Sequence, residues 1–243
     1  MSTELASAAA PAEHADALDW LARQQPGSAR AVVFDPPYSR NKPPRGKWDG
    51  MGGSVYGPFE FMHRAMLASS RALMHGGILI GFCDWELLTD LGYIASVSGL
   101  RNRTHFVWCA SEKAGGTGGI FRGSASPVLI ASHVSPDTVD DSNVPNWILA
   151  PRVQGKARVH PYQKPALVYE TILRRVCRRG DTILDPFAGS GSSRVACENL
   201  GLGLQWKGAD IDPAYAISTS SRPRPRPGGP PERVSEEGHA DRY

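Results

Sequence analysis

The stretch that most constrains the fold is DTILDPFAGSGSSRVACENLGLG, residues 181–203, with LQWKGADID directly behind it. A short apolar run ends in an acid, Asp185. Gly189 and Gly191 follow, then a segment suited to a helix, stopped by Gly201 and Gly203. Strand, glycine loop, helix and second strand form the unit from which parallel sheets are built, because parallel neighbours need a long crossover between them. AVVF (31–34) and ILIGF (78–82) are further apolar runs of the kind expected for strands buried on both faces.

Helical periodicity separates these strands. It begins at Phe59, puts Met62, Met66 and Leu73 on one face, and is expected to stop at HGG, 75–77. A second helix is expected from KPALVYETILRRVCRRG, with Pro165 at its first position. Tyr169, Ile172, Leu173 and Val176 form its apolar stripe and Gly180 marks its end. THFVWCAS (104–111) and SPVLIASHV (126–134) predict an antiparallel pair around the glycine-rich link EKAGGTGGIFRG. The alternation predicts an α/β fold with a doubly wound, mostly parallel sheet. Ligands of such sheets bind beyond the carboxyl ends of the strands, which directs attention to Asp35 and Asp185.

Composition narrows the class. The chain has 243 residues, 41% of them apolar, enough for one large domain with a true core. No run of about 18 apolar residues suggests a membrane span, and the N-terminus lacks the pattern of a secretory signal. Cys83, Cys109, Cys177 and Cys197 are scattered, so no metal site is expected and a reducing cytoplasm is the simple inference. The domain is expected over 14–217, between a flexible N-terminus (1–13) and a disordered, Pro/Gly-rich charged tail (218–243).

A net charge of +3 tolerates a nucleic-acid partner without demanding one. Residues 39–58 form a long Pro/Gly-rich segment carrying Arg40, Lys42, Arg45, Lys47 and Trp48; it is either a grip on a phosphate backbone or an ordinary solvated loop. Arg174, Arg175, Arg178 and Arg179 fall near a helix end, where cations suit the helix dipole.

The glycine loop lacks the Gly-Lys-Ser/Thr of a phosphate-binding loop and the full dinucleotide fingerprint, which sets aside a dehydrogenase. Asp185, in front of the loop, would repel a pyrophosphate but suits a cationic or zwitterionic ligand. S-adenosylmethionine, with a sulfonium and an α-ammonium, is such a ligand. Asp210 stands about 20 residues beyond the glycines, at the end of the next strand, where a carboxylate receives ribose hydroxyls. A tight strand-to-helix turn is the structural alternative for the glycines alone.

DPPY (35–38), HPYQKP (160–165) and LDPFAGSGSS (184–193), in that order, resemble the β-class amino-methyltransferases of DNA, which methylate adenine N6 or cytosine N4 with S-adenosylmethionine. The resemblance covers roughly residues 14–217 and implies a Rossmann-like methyltransferase fold with circularly permuted motifs, the catalytic one preceding the glycine loop. It assigns Asp35, Pro36, Pro37 and Tyr38 to catalysis, and Asp185, Phe187, Gly189, Ser190, Gly191 and Asp210 to the cofactor. His160, Gln163, Lys164 and Pro165 would close over the cofactor's methionine end. Asp16 would touch its adenine, with a helix-cap role as the alternative. Trp108, Lys113, Phe121 and Arg122 also agree with the family.

Tyr162 and Ser192 replace the usual threonines, and Ser126 stands where glutamate is usual. The segment left for target recognition, 132–159, is short, which implies a short or relaxed recognition sequence or help from a second copy of the chain. Trp147, Arg152, Lys156 and Arg158 are its candidates for contact with double-stranded DNA, against an ordinary connecting loop. An initial Asp in the catalytic motif implies adenine N6, with cytosine N4 as the alternative. An RNA adenine methylase and an inactive nucleic-acid-binding subunit are the remaining readings.

Overall fold

The computed structural model describes residues 10–37, 57–111, 123–139 and 143–215. Tyr38, Arg40, Lys42, Arg45, Lys47, Trp48, Lys113, Phe121 and Arg122, and the expected tail, lie outside the described residues. The strands are β1 (Glu13–His14), β2 (Ala29–Phe34), β3 (Leu73–Phe82), β4 (Arg101–Cys109), β5 (Ala125–Ser132), β6 (Trp147–Leu149), β7 (Thr182–Asp185) and β8 (Gln205–Asp210). The helices are α1 (Ala17–Ala22), α2 (Gly57–Ala72), α3 (Leu88–Val97), α4 (Ala166–Val176) and α5 (Ser192–Asn199).

These strands make one sheet in the order β1-β8-β7-β2-β3-β5-β4-β6. Only β5 runs against the others: it pairs antiparallel with β3 and β4, and every other pairing is parallel. Alternation along β2 divides the core. Ala31 and Val33 face the layer of α4 and α5, with Leu173, Val176 and Ala196. Val32 and Phe34 face α1, α2 and α3, with Trp20, Met66 and Ile94. Side chains of a strand point alternately to opposite faces, so a strand covered on both sides is apolar except where a charge is paired, as Arg30 of β2 is with Asp181 at 3.2 Å. β2 is buried at all six positions.

The mostly parallel, doubly wound sheet and the antiparallel β4–β5 pair agree with the sequence. Five features differ. HGG does not stop a helix: α2 ends at Ala72 and β3 begins at Leu73. Leu73 pairs with Ala29 and Ile78 with Ala31, so residues 74–77 bulge out of the ladder around Gly76, at φ 72°. Pro165 caps α4 with extended geometry (ψ 137°) and lies outside its first turn. α3 has no counterpart in the expected elements, and β6 lies within 132–159, the segment left for target recognition, beyond the strand expected at 126–134. Three residues between prolines are too few to show a period, so only pairing with β4 defines β6. β1 takes up Glu13, one residue before the expected domain start.

Candidate active site

β8, β7 and β2 are neighbours and run the same way. Asp185 and Asp210 close β7 and β8, and Asp35 follows Phe34, the last residue of β2. Three carboxylates are thus delivered to one end of the sheet by three adjacent strands about 4.8 Å apart.

Asp185 is buried beneath the glycine loop. Its Oδ1 accepts the Phe187 amide at 3.1 Å, and Oδ2 accepts the hydroxyl of Ser193, which itself receives the Trp206 indole N–H at 2.9 Å. Burial pushes the carboxyl up to about 7, against the two hydrogen bonds that oppose the shift; Asp35 and Asp210 add repulsion. Trp206 has room because position 208 is glycine: a Cβ there would collide with the indole and stand 3.2 Å from the Ala188 methyl.

The loop is held by its own turns. Gly189 and Gly191 adopt φ of 47° and 71°, conformations that glycine takes without strain. The Gly191 amide donates to the Ala188 carbonyl at 2.7 Å, and the Gly189 amide to Asp210 Oδ2 at 2.7 Å. Asp210 Oδ1 accepts the Asp212 amide at 2.8 Å. Burial raises the Asp210 carboxyl, and these amides and His160 counter it. Phe187 anchors the loop over β2, its ring edge-on to Phe34 at 5.5 Å and to Phe61 at 6.1 Å. Ser190 and Ser192 share a hydrogen bond of 3.0 Å, and Ser192 donates to the Lys164 carbonyl at 2.7 Å.

The 160–165 segment lies against the loop. A Cβ on Gly189 would stand 3.8 Å from His160 Cε1. His160 Nδ1 accepts the Tyr162 amide at 3.1 Å, and burial lowers the imidazole's pKa against the pull of Asp210 and Asp35. Tyr215 meets this ring edge-on at 4.4 Å. Gln163 receives the Val159 amide at 2.8 Å and folds the segment on itself. Lys164 is buried, pairs its ammonium with Asp35 Oδ2, and sets Nζ 5.0 Å from the centre of the Phe82 ring. Pro36 is buried and closes a small apolar cavity lined by Met62, Phe82, Cys83, Leu87 and Leu91, while Pro37 is exposed.

The structure therefore brings together Asp35, Pro36, His160, Lys164, Phe187, Gly189 and Asp210, with Asp185, Ser190 and Gly191 forming the floor. Asp16 caps α1, accepting the Leu18 and Asp19 amides at 2.8 and 3.2 Å. Of the candidate DNA contacts, Arg158 donates to the carbonyls of His160 and Pro161, and Arg152 lies 5.6 Å over the Trp108 ring. Lys156 is exposed on a 3-10 turn, Gly155–Ala157. Sequence reasoning missed Ser193, Trp206, Phe82, Phe61 and Tyr215. They act through three-dimensional contact, and only the inward alternation of Trp206 and Gly208 on β8 hinted at any of them.

Three carboxylates at parallel strand ends, beside a glycine loop and the start of α5, lie where ligands of doubly wound sheets bind. The chain belongs to the N6_N4_Mtase family, whose model is described as DNA methylase and matches residues 29–219. It is similar to the type II methyltransferase M.HpaI of Haemophilus parainfluenzae, 22% identical over 85% of this chain and 72% of that protein. It is also similar to the type II methyltransferase M2.DpnII of Streptococcus pneumoniae, at 24% over 83% of this chain and 85% of the relative. The M1.HpyAVI–SAM complex shares the fold with TM-score 0.63, at 18% identity over 86% of this chain and 97% of that one. The cytosine-N4-specific PvuII DNA methyltransferase does so with TM-score 0.66, at 15% identity over 88% and 87%.

Proposed function

We propose that the chain transfers a methyl group from S-adenosylmethionine to the exocyclic N6 of an adenine flipped out of double-stranded DNA. The observation that carries this is the placement of Asp35 and Pro36 at the end of β2, beside the glycine loop of β7 and the Asp210 carboxylate of β8. The cofactor suits the residues present. Asp185 is a buried carboxyl whose charged form is offset by no cation among the described residues, and a ligand with ammonium and sulfonium groups supplies one. Asp210 uses one lone pair of each oxygen on an amide, leaving capacity for ribose hydroxyls. S-adenosylmethionine, when bound, supplies an electrophilic methyl group.

The chain's own residues do the rest. An aromatic amine is a poor nucleophile because its lone pair is delocalised into the ring. The Asp35 carboxylate and the Pro36 carbonyl each accept one N–H, which draws the nitrogen out of conjugation and aims its lone pair. The fixed φ of proline holds that carbonyl in place before the base arrives. Tyr38 stacks on the extruded base and offsets part of the few kcal/mol that flipping costs. Alignment within this frame accounts for much of the acceleration. The cations of 39–58, with Lys156, hold the DNA backbone.

Labelled S-adenosylmethionine and unmethylated DNA, followed by nucleoside mapping, test the proposal. Label on adenine N6, abolished by Asp35→Ala, is the expected result. Label on cytosine N4 replaces the base assignment, and full methylation by Asp35→Ala overturns the mechanism.

A further inference from the structure

Lys164 stands in the segment assigned to the cofactor's methionine end, yet its ammonium is directed at the catalytic strand. It sits between the Asp35 carboxylate and the face of Phe82, with side-chain exposures of 7% for Lys164 and 18% for Asp35. A ring face and a carboxylate on two sides leave a cation little freedom. Stability alone does not explain such a pair, because burying two charges offsets most of their attraction and an apolar pair of similar volume does as well. The lysine's main chain is fixed too: its carbonyl accepts the Ser192 hydroxyl at 2.7 Å, and Ser192 opens the helix behind the glycine loop. One residue thus connects the loop that carries the cofactor to the carboxylate that receives the amine.

We propose that Lys164 is a positioning residue for methyl transfer, its ammonium holding the Asp35 carboxylate at the base site while its carbonyl ties that hold to the glycine loop through Ser192. This rests on the amino-methyltransferase function proposed above. With the ammonium on Oδ2, Oδ1 is the atom presented to the incoming amine. A carboxylate released from the lysine rotates about its Cβ–Cγ bond, and misplacement of this kind costs about 100-fold in rate.

Two quantities separate this role from cofactor binding in the full-length protein: the single-turnover rate on DNA at saturating S-adenosylmethionine, and the cofactor dissociation constant by calorimetry. Lys164→Met is expected to lower the rate about 100-fold with the dissociation constant within about twofold of wild type. Lys164→Arg, which keeps the cation, is expected to restore most of the rate. A weaker cofactor affinity with an unchanged saturated rate overturns the proposal, and so does an arginine variant no better than methionine. If the wild-type chain labels no DNA, the enzymatic function fails separately. The pairing is then decided by melting of Asp35→Asn, Lys164→Met and the double variant. A double variant that loses less than the sum of the single losses supports the hold, and strict additivity overturns it.

Discussion

Asp185 carries its charge at a cost that the proposed cofactor, a cation, would remove. Its carboxyl is pushed up to about 7 by burial, so in the free protein it is largely protonated below that pH. A cationic ligand favours the carboxylate. Binding therefore releases a proton, and affinity rises with pH through the region of 7 before levelling off. Calorimetry of S-adenosylmethionine binding at pH 6 and pH 8, in buffers of different ionisation enthalpy, checks the sign: tighter binding at pH 8, with proton release at pH 6. For folding the linkage runs the other way. An acid raised in the native state contributes most below its unfolded value, near 3.8, and that contribution is lost as pH climbs towards 7. The same network makes Gly208 sensitive. Gly208→Ala would push Trp206 off Ser193, and Ser193 off Asp185. Overpacking of this sort costs about 1–3 kcal/mol, and a thermal melt beside a cofactor titration should show loss in both. Asp185 was legible in the sequence as an acid before a glycine loop. Its environment was not, because Ser193 and Trp206 reach it from a helix and a neighbouring strand.

Among the elements, α1 decides between two roles for one acid. Asp16 spends its side chain on the Leu18 and Asp19 amides, the first turn of a helix only six residues long. A helix this short depends on its cap and its packing, since its length alone does not sustain it. Asp16→Asn keeps an acceptor and should be near neutral, whereas Asp16→Ala should cost about 1 kcal/mol. Cofactor affinity unchanged in both variants marks a cap; a loss in the asparagine variant marks a cofactor contact. The strands that position the site were the legible elements, because burial on both faces forces continuous apolar runs such as those of β2 and β3. α3 was not legible: its residues are mostly apolar or small (LTDLGYIASV) and show no clear face, and their helicity follows from packing Leu91, Ile94 and Ala95 against the sheet. Pro165 shows the limit at a boundary. Its ring suits both the cap and the first helical position, and sequence does not separate the two.

At the scale of the molecule, the order of the motifs has a mechanical consequence. Asp35 is delivered by a strand early in the chain, and Asp185 and Asp210 by strands near its end, yet β2 lies directly against β7. The central sheet is therefore closed by contacts far apart in sequence, and Lys164 with Asp35 adds a link spanning 129 residues. A ligand seated across the three strand ends braces that long-range closure and not one local segment. Ligand present at 100 times its dissociation constant stabilises the native state by about 2.7 kcal/mol. For a domain of 150–250 residues that corresponds to a rise in Tm of about 5–11 °C. S-adenosylhomocysteine, which forms no product, is the probe for differential scanning calorimetry. The expected result is one cooperative transition displaced upward as a whole. A thermogram in which only part of the heat absorption moves would instead place the β4–β6 edge in a separate unit, next to the site's strands across the antiparallel contact of β3 with β5.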